Sequence, residues 1–422
     1  MATGDREKNG LITCQMQMIL ITIRNVRDGN ALLAVVNHYH WKRKMSTIKT
    51  TLLVAALGAA LGVQAAEVSL YGSVSTGLLY QNTPTLTDKA TGERIDSVQS
   101  MTMESGLWGD SIWGISGKED LGNGWSVGFT LENEFGSDTG EMAGADDGKL
   151  FDSQSYLRIG NDVVNIAFGS VGGLASAGGD FDLLVGFDPM QAYMGPAGLG
   201  AFASKDFASA NMAVLEVTPA DGFKISLMGN MGDDDSAQKW ADRDHYYGVG
   251  LSYEQGPLAL AAVAETRRYD STQERTGSDD AWTYTLAAAY DFEFVRPSLV
   301  YQHASKTREF GGEFIDSADA YQFDSFMLGA TAPLGQGTLH ASVQYVKGEN
   351  EANSKEKADA TILGVAYTYE LSKRTSLYTG AYYSIGGEGL DKDLSASDTR
   401  FMALDWAAYN SFGAGFGLVH QF

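Results

Sequence analysis

The chain has 422 residues, of which 30 are Lys or Arg and 53 are Asp or Glu, so its formal net charge is −23. Such an acidic chain lacks the clustered basic residues that nucleic-acid binding requires, and its single cysteine, Cys14, excludes a disulfide framework. Beyond residue 65 no apolar run approaches the roughly 20 residues that a membrane-spanning helix needs. With 50 Gly, 20 Tyr and 19 Phe against 7 Pro, the composition favours many strands joined by turns.

The N-terminal part carries the pattern of an export signal. Met45 to Ala65 has a positive start at Lys49, then an apolar stretch, and it ends in small residues at a Val-Gln-Ala cleavage site. This pattern predicts a secretory signal peptide at 45–65 rather than a short membrane anchor. Residues 1–44 precede its methionine, and we expect them to be upstream sequence translated by mistake or an extension that is lost. The remaining domain, 66–422, keeps 22 basic and 50 acidic residues, a net charge of −28.

Strand patterns dominate residues 66–422. From Glu67 to Tyr80, apolar residues alternate with small or polar ones, and the same period of two recurs at 339–345 and 363–371. A period of two with one apolar face is typical of a half-buried strand. A soluble sandwich or solenoid of antiparallel strands gives the same alternation. The export signal, the aromatic residues near strand ends on the apolar face and the aromatic last residue, Phe422, favour a membrane barrel.

The connections between the strands alternate in length. Seven short turns are predicted, at 121–124, 161–162, 219–222, 254–257, 291–294, 334–337 and 371–375. Eight longer, polar and acidic stretches lie between them, at 82–100, 136–150, 171–209, 232–244, 269–280, 307–320, 348–358 and 386–403. Together they join sixteen strands and leave both ends of the domain on the short-turn side. The sequence therefore predicts an all-β fold, a 16-stranded antiparallel transmembrane β-barrel.

Five short runs carry a family resemblance. They are Val68-Ser-Leu-Tyr-Gly72, the run from Trp113 to Gly124, Phe129-Thr-Leu-Glu132, Leu371-Ser-Lys-Arg-Thr375 and Gly417-Leu-Val-His-Gln-Phe422. In these runs the chain resembles the general porins of Gram-negative bacteria, especially the trimeric β-proteobacterial type. The resemblance is dense over 66–170 and 360–422 and sparse between. It implies a homotrimer in the lipid of the outer membrane, insertion by the barrel-assembly machinery with Phe422 in the assembly signal, and a third external loop folded into the lumen.

The resemblance also implies which residues line the narrowest part of the pore. Basic positions of the family's pore wall correspond here to Ile112, Ser153 and Glu216. The acids of the inward loop that face this wall would be Asp180, Asp182 and Asp188. Glu132 shares the polar phase of the third strand, and Lys118 lies at the inner end of the second. Because the positive wall is largely replaced while the acids remain, we expect a cation-preferring pore.

The function we expect is passive diffusion of small hydrophilic solutes and ions, with no catalytic step, cofactor or metal. A substrate-specific channel and a non-conducting adhesin or structural barrel are the alternatives. Gly109-Asp-Ser111 resembles an esterase nucleophile, but a phospholipase needs a His and a polar partner beside the serine, and no His stands in a suggestive motif. The clusters Asp146-Asp147 and Asp233-Asp234-Asp235 lack the spaced oxygen ligands of a Ca²⁺ site and are expected to be solvated loop charge.

Overall fold

The computed structural model divides the chain into two compact units, Met1–Ala65 and Ala66–Phe422. It describes residues 67–83, 98–143, 148–199, 209–232, 245–268, 280–307, 320–351, 354, 357–386 and 411–422, together with short strand pairs at 19–23 and 32–36, 86–87 and 94–95, and 309–310 and 313–314. In the first unit, Ile19–Ile23 pairs antiparallel with Leu32–Val36. The predicted signal peptide and the two acidic clusters at 146–147 and 233–235 lie outside the described residues.

Within Ala66–Phe422 the described strands close into one antiparallel barrel. Its strands are β1 Glu67–Thr83, β2 in two segments, Val98–Ser105 and Ile112–Gly122, β3 Trp125–Glu134, β4 Gln154–Gly160, β5 Val164–Val171, β6 Ser209–Ala220, β7 Phe223–Asn230, β8 His245–Gln255, β9 Leu258–Arg268, β10 Ala281–Tyr290, β11 Arg296–Thr307, β12 Tyr321–Leu334, β13 Gly337–Asn350, β14 Lys357–Ser372, β15 Thr375–Gly386 and β16 Phe412–Gln421. The sixteen strands predicted from the sequence are confirmed, with the seven short turns and eight long connections in their expected places.

The barrel closes because its last strand pairs with its first. Residues 412–421 of β16 lie opposite residues 82–73 of β1, so no strand edge is left unpaired there. On its other side β1 pairs with both segments of β2, first with Val98–Ser105 and then with Ile112–Gly122. The two segments are therefore one barrel strand, interrupted at 106–111.

The two faces of the wall differ in chemistry as a membrane barrel requires. In β10 the outward Trp282, Tyr284 and Leu286 are 41–58% exposed, while the alternating Thr283 and Thr285 point inward and are buried. Strands on both sides repeat this pattern, with exposed leucines and aromatics outside and small or polar residues inside. An apolar belt of this extent is stable against hydrocarbon rather than water. The closed barrel with its apolar outer face also excludes the soluble sandwich.

The third long connection is described as far as residue 199, and residues 172–199 are called the inner loop below. Two helical turns, Val185–Phe187 and Gly195–Ala197, shape it. In the described part of the chain, no helix is both long and apolar enough to cross a membrane. The inner loop packs against inward-facing glycines of the wall. A Cβ on Gly364 would come within 2.5 Å of Ala197 Cβ, and one on Gly380 within 2.8 Å of the Met194 methyl group, so these glycines make room for the loop.

Candidate functional site

Polar side chains of the inner wall hold the first half of the inner loop. The backbone N–H of Leu174 donates to the hydroxyl of Tyr246 at 3.0 Å, and that of Ala175 donates to Glu265 at 3.2 Å. Further along, the guanidinium of Arg296 donates to the carbonyl of Gly186 at 2.8 Å. The buried N–H groups of Leu174 and Ala175 need partners, and together with Arg296 these wall residues hold the loop across β8, β9 and β11.

Three inward-facing residues of β13 hold the second half of the inner loop through its backbone carbonyls. The donors are His340 to Pro189 at 2.7 Å, Ser342 to Ala197 at 2.6 Å, and Gln344 to Pro196 at 2.8 Å and to Gly198 at 2.6 Å. Because residues 340, 342 and 344 share the inner face of one strand, they contact the loop in sequence. These contacts put the loop against the inner wall of the barrel.

Two of the loop aspartates predicted to face the pore are turned onto the loop's own backbone. Asp188 is 4% exposed and accepts hydrogen bonds from the N–H groups of residues 190, 192 and 199 at 2.7–2.8 Å. Asp182 accepts from residues 177, 184 and 185 at 2.6–2.9 Å. Burial raises the pKa of Asp182 to about 6, although these three amides act in the opposite direction. The physical reason for the difference is that a loop packed in the interior leaves backbone amides that need acceptors.

The third loop aspartate, Asp180, is exposed and lies at the wall. Its carboxylate accepts a hydrogen bond from the hydroxyl of Tyr156, and its backbone N–H donates to the side chain of Gln154 at 2.9 Å. Both partners are inward-facing residues of β4. The carboxylate of Asp180 is therefore turned to a side chain of the wall.

Two cavities meet between the inner loop and the wall. The larger, about 940 Å³, lies toward the long loops and the smaller, about 570 Å³, toward the short turns. Three residues line both, namely Asp110 from the interruption of β2 and Gln191 and Tyr193 from the loop. These three residues are called the waist, because they mark the boundary between the two cavities.

The loop and the wall touch at the waist. The hydroxyl of Tyr193 donates to the carboxylate of Asp110 at 3.0 Å and accepts the backbone N–H of the same residue at 3.2 Å. Burial, with the charge of Asp110 second, raises the pKa of Tyr193, which keeps the phenol protonated as a donor. One residue on, the N–H of Met194 donates to the carbonyl of Leu107 at 3.1 Å. The interruption of β2, with Gly106 and Gly109 at φ of 75° and 86°, thus supplies the wall side of the contact.

Acidic side chains gather on the wall at the waist and beside it. Asp110, Glu134 and Asp152 line the larger cavity, and Glu132 lies behind Ser153, whose hydroxyl donates to it at 2.6 Å. These four are called the wall carboxylates. The charges of Asp110, Asp152 and Glu132 all act on the carboxyl group of Glu134. Among the described residues that line the two cavities, none is Lys or Arg.

The predicted wall residues fall into two groups. Ile112 lines the smaller cavity directly opposite Glu134 in the register of β2 and β3, and Ser153 lines the larger one. Glu216 and Lys118 line neither cavity. Glu216 pairs with Lys224 at 3.1 Å, and Lys118 lies opposite residues 67 and 128 toward the short-turn end.

The C-terminal Phe422 continues the closure of the barrel. Its N–H donates to the carbonyl of Gly72 at 3.0 Å, and the N–H of Gly72 donates back at 3.2 Å. A Cβ on Gly72 would meet the ring of Phe422 at 2.6 Å, so the glycine leaves space for the terminal aromatic side chain. Phe422 therefore completes the pairing of the last strand with the first.

Sequence reasoning missed Asp110, Glu134 and Asp152 on the wall and Gln191 and Tyr193 on the loop. For Glu134 a signal existed, because it follows Glu132 by two residues and so shares its inward phase. Nothing in the local pattern indicates the two loop residues. Asp110 stands in the esterase-like run, where Ser111 is 1% exposed and exchanges hydrogen bonds with the backbone of Ser75 at 3.0 Å in each direction, a structural role.

Comparison with known proteins agrees with this geometry. A model of the Gram-negative porin family matches residues 51–387. An outer membrane porin protein of Bordetella pertussis is 30% identical over 374 residues, which cover 80% of this chain and 94% of that protein. The outer membrane porin protein 32 of Delftia acidovorans is 28% identical over 341 residues, 78% of this chain and 88% of that protein.

Among solved structures, an anion-selective porin from Comamonas acidovorans superposes with a TM-score of 0.62. The superposition covers 85% of this chain and all of that one, at 23% sequence identity, so it bears on the fold alone. The proteins matched are channels rather than enzymes. Since the family model spans most of the sequence and the barrel has the fold of solved porins, the chain belongs to the Gram-negative porin family, the β-barrel channels of the outer membrane.

Proposed function

We propose that this porin passes small hydrophilic solutes and ions by passive diffusion and prefers cations. The observation that carries the preference is the set of wall carboxylates beside the waist, together with the absence of Lys and Arg from the described residues that line the two cavities. Selectivity in a channel follows from its width and from the charges at its narrowest point. The three carboxylates that line the larger cavity, with Glu132 behind them, attract cations and repel anions.

The position of these carboxylates matters more than the large negative charge of the whole chain. Charges on external loops are screened within about 8 Å at physiological ionic strength. Charges between low-dielectric walls act more strongly on a passing ion, because the field is focused in a narrow space. Anion selectivity belongs to the Comamonas porin by its name. Here Ile112 and Ser153 stand where the resemblance places wall arginines, next to Glu134 and Glu132.

The assembly we propose follows from membership of the family. The chain is exported by the signal peptide at 45–65, and residues 1–44 are either upstream sequence translated by mistake or an extension that is lost. It is inserted into the outer-membrane lipid by the barrel-assembly machinery and assembled as a homotrimer. The pairing of Phe422 with Gly72 supports a role for the last residue in closing the barrel during insertion.

Planar-bilayer recording of purified protein tests the function. With KCl at a tenfold higher concentration on one side, the zero-current potential should have the sign of a cation-preferring pore. A potential of the opposite sign would refute the cation preference but not the channel function. Currents that saturate with one solute would instead identify a substrate-specific channel, and protein that inserts without conducting would favour a structural barrel.

A further inference from the structure

The segment of the inner loop that carries the waist has a strained backbone. Gln191, Ala192 and Met194 have φ of 53°, 64° and 59°, the left-handed region that residues with a Cβ rarely adopt. Three such residues within four positions persist only when surrounding contacts over-determine the conformation. Tyr193 lies between them, and its position depends on this turn.

The carboxylate of Asp188 spans the strained turn. One oxygen accepts the N–H of Met190 at 2.8 Å, and the other accepts those of Ala192 and Leu199 at 2.7 Å each. The bond to Leu199 joins the two ends of the segment, and the bond to Ala192 holds a left-handed residue directly. Since hydrogen bonds to a charged acceptor are about twice as strong as neutral ones, this carboxylate is a main support of the turn.

Gly198 closes the cradle around this carboxylate. A Cβ on Gly198 would lie 2.8 Å from Asp188 Oδ2 and 2.9 Å from the Cα of Ala192, closer than real contacts allow. Its own φ of −86° suits any residue, so an alanine there would disturb the cradle by contact alone. The chain therefore offers a way to displace the carboxylate without removing its charge.

We propose that Asp188 is the positioning residue of the waist: its carboxylate holds the turn that brings Tyr193 against Asp110. Asp188 is buried and absent from the lining of both cavities, so it acts through Tyr193 rather than by contact with permeating ions. This role concerns the shape of the waist, so it goes beyond the proposed cation preference and does not depend on it. It rests only on the protein forming a channel.

Single-channel recording of Asp188→Asn and Gly198→Ala tests the role. Asp188→Asn replaces the charged acceptor by a carboxamide, and the methyl group of Gly198→Ala displaces the carboxylate. Both variants should therefore spend about tenfold more time in conductance substates. Asp221→Asn is the matched control, since it removes one carboxylate in an exposed short turn and should record as wild type. Heat-modifiable mobility in gels verifies that each variant forms a barrel.

A double-mutant comparison separates positioning from a general structural effect. Tyr193→Phe removes the hydroxyl that contacts Asp110, so Asp188→Asn should add little in that background if Asp188 acts through Tyr193. If Asp188→Asn and Tyr193→Phe multiply each other's effect on the time spent in substates, the proposal is overturned. A Gly198→Ala variant that records as wild type would also overturn it. If Asp188→Asn fails to assemble, Gly198→Ala with and without Tyr193→Phe gives the same comparison. If the wild type prefers anions, the proposed cation preference is refuted. The comparison of substates between the Asp188 and Tyr193 variants still tests the positioning role.

Discussion

Placing arginine at both Ile112 and Ser153 should move the pore toward anions. Ile112 lies opposite Glu134 across β2 and β3, and facing side chains of an antiparallel pair have Cβ atoms about 5 Å apart. The hydroxyl of Ser153 already contacts Glu132 at 2.6 Å. An arginine at each site can therefore reach a wall carboxylate, and the pair adds two positive charges beside the waist.

The size of the effect follows from Coulomb's law. A unit charge about 5 Å from a passing ion contributes about 0.8 kcal/mol in a medium as polar as water, and about 0.5 kcal/mol after screening at 0.1 M salt. Together the two arginines disfavour a cation by about 1 kcal/mol and favour an anion by about 1 kcal/mol, and this difference of about 2 kcal/mol lowers the cation-to-anion permeability ratio about thirtyfold. From a starting ratio of about ten, the zero-current potential in a tenfold gradient shifts by about 60 mV, from about 40 mV of cation sign to about 20 mV of anion sign, where an ideally selective pore gives about 59 mV.

The assay is the zero-current potential of single insertions in a tenfold KCl gradient. Ile112→Gln with Ser153→Gln is the matched control, because it adds similar bulk without charge. The arginine pair should shift the potential toward anions and the glutamine pair should leave it near the wild-type value. An unchanged potential in the arginine variant, or an equal shift in both variants, would refute the placement of these residues at the constriction.

Three further predictions concern processing, assembly and pH. Purified outer-membrane protein should begin at Ala66 or Glu67 in mass spectrometry, and peptides from 1–44 there would contradict the predicted signal peptide. Deletion of Phe422 removes its two hydrogen bonds to Gly72 and should leave protease-sensitive chain in the periplasm; normal outer-membrane levels would count against its role. Because burial raises the pKa of Asp182 from 3.8 to about 6, the docked loop binds a proton more tightly than a displaced one. Substates should therefore become rarer from pH 7 to pH 5 in the wild type but not in Asp182→Asn, and equal responses would refute this link.

The barrel could be predicted because its signals are local. A strand between lipid and lumen alternates along its whole length, and tight turns such as 121–124 and 334–337 need Gly or Asn at fixed positions. Each signal is complete within about ten residues. The number of strands, their order and the side of the long loops follow from counting them.

The waist could not be predicted, because it depends on contacts between distant segments. Tyr193 reaches Asp110 only because wall residues of β8, β9, β11 and β13 hold the inner loop, and because β2 is interrupted at 106–111. The sequence shows an aspartate at 188 and cannot show whether its carboxylate faces water or three backbone amides. The family pattern places acids on the loop and basic residues on the wall. In this chain the three acids that line the larger cavity all lie on the wall.

The central claim is that the wall carboxylates beside the waist, rather than the acidic chain as a whole, make this porin prefer cations. The direct test neutralises the three that line the larger cavity, as Asp110→Asn, Glu134→Gln and Asp152→Asn, and measures the zero-current potential in a KCl gradient. The control neutralises three exposed carboxylates that line neither cavity, as Asp138→Asn, Glu141→Gln and Asp221→Asn. The first variant should lose most of the cation preference and the second should keep it; a preference that survives the first, or falls as far in the second, would contradict the account.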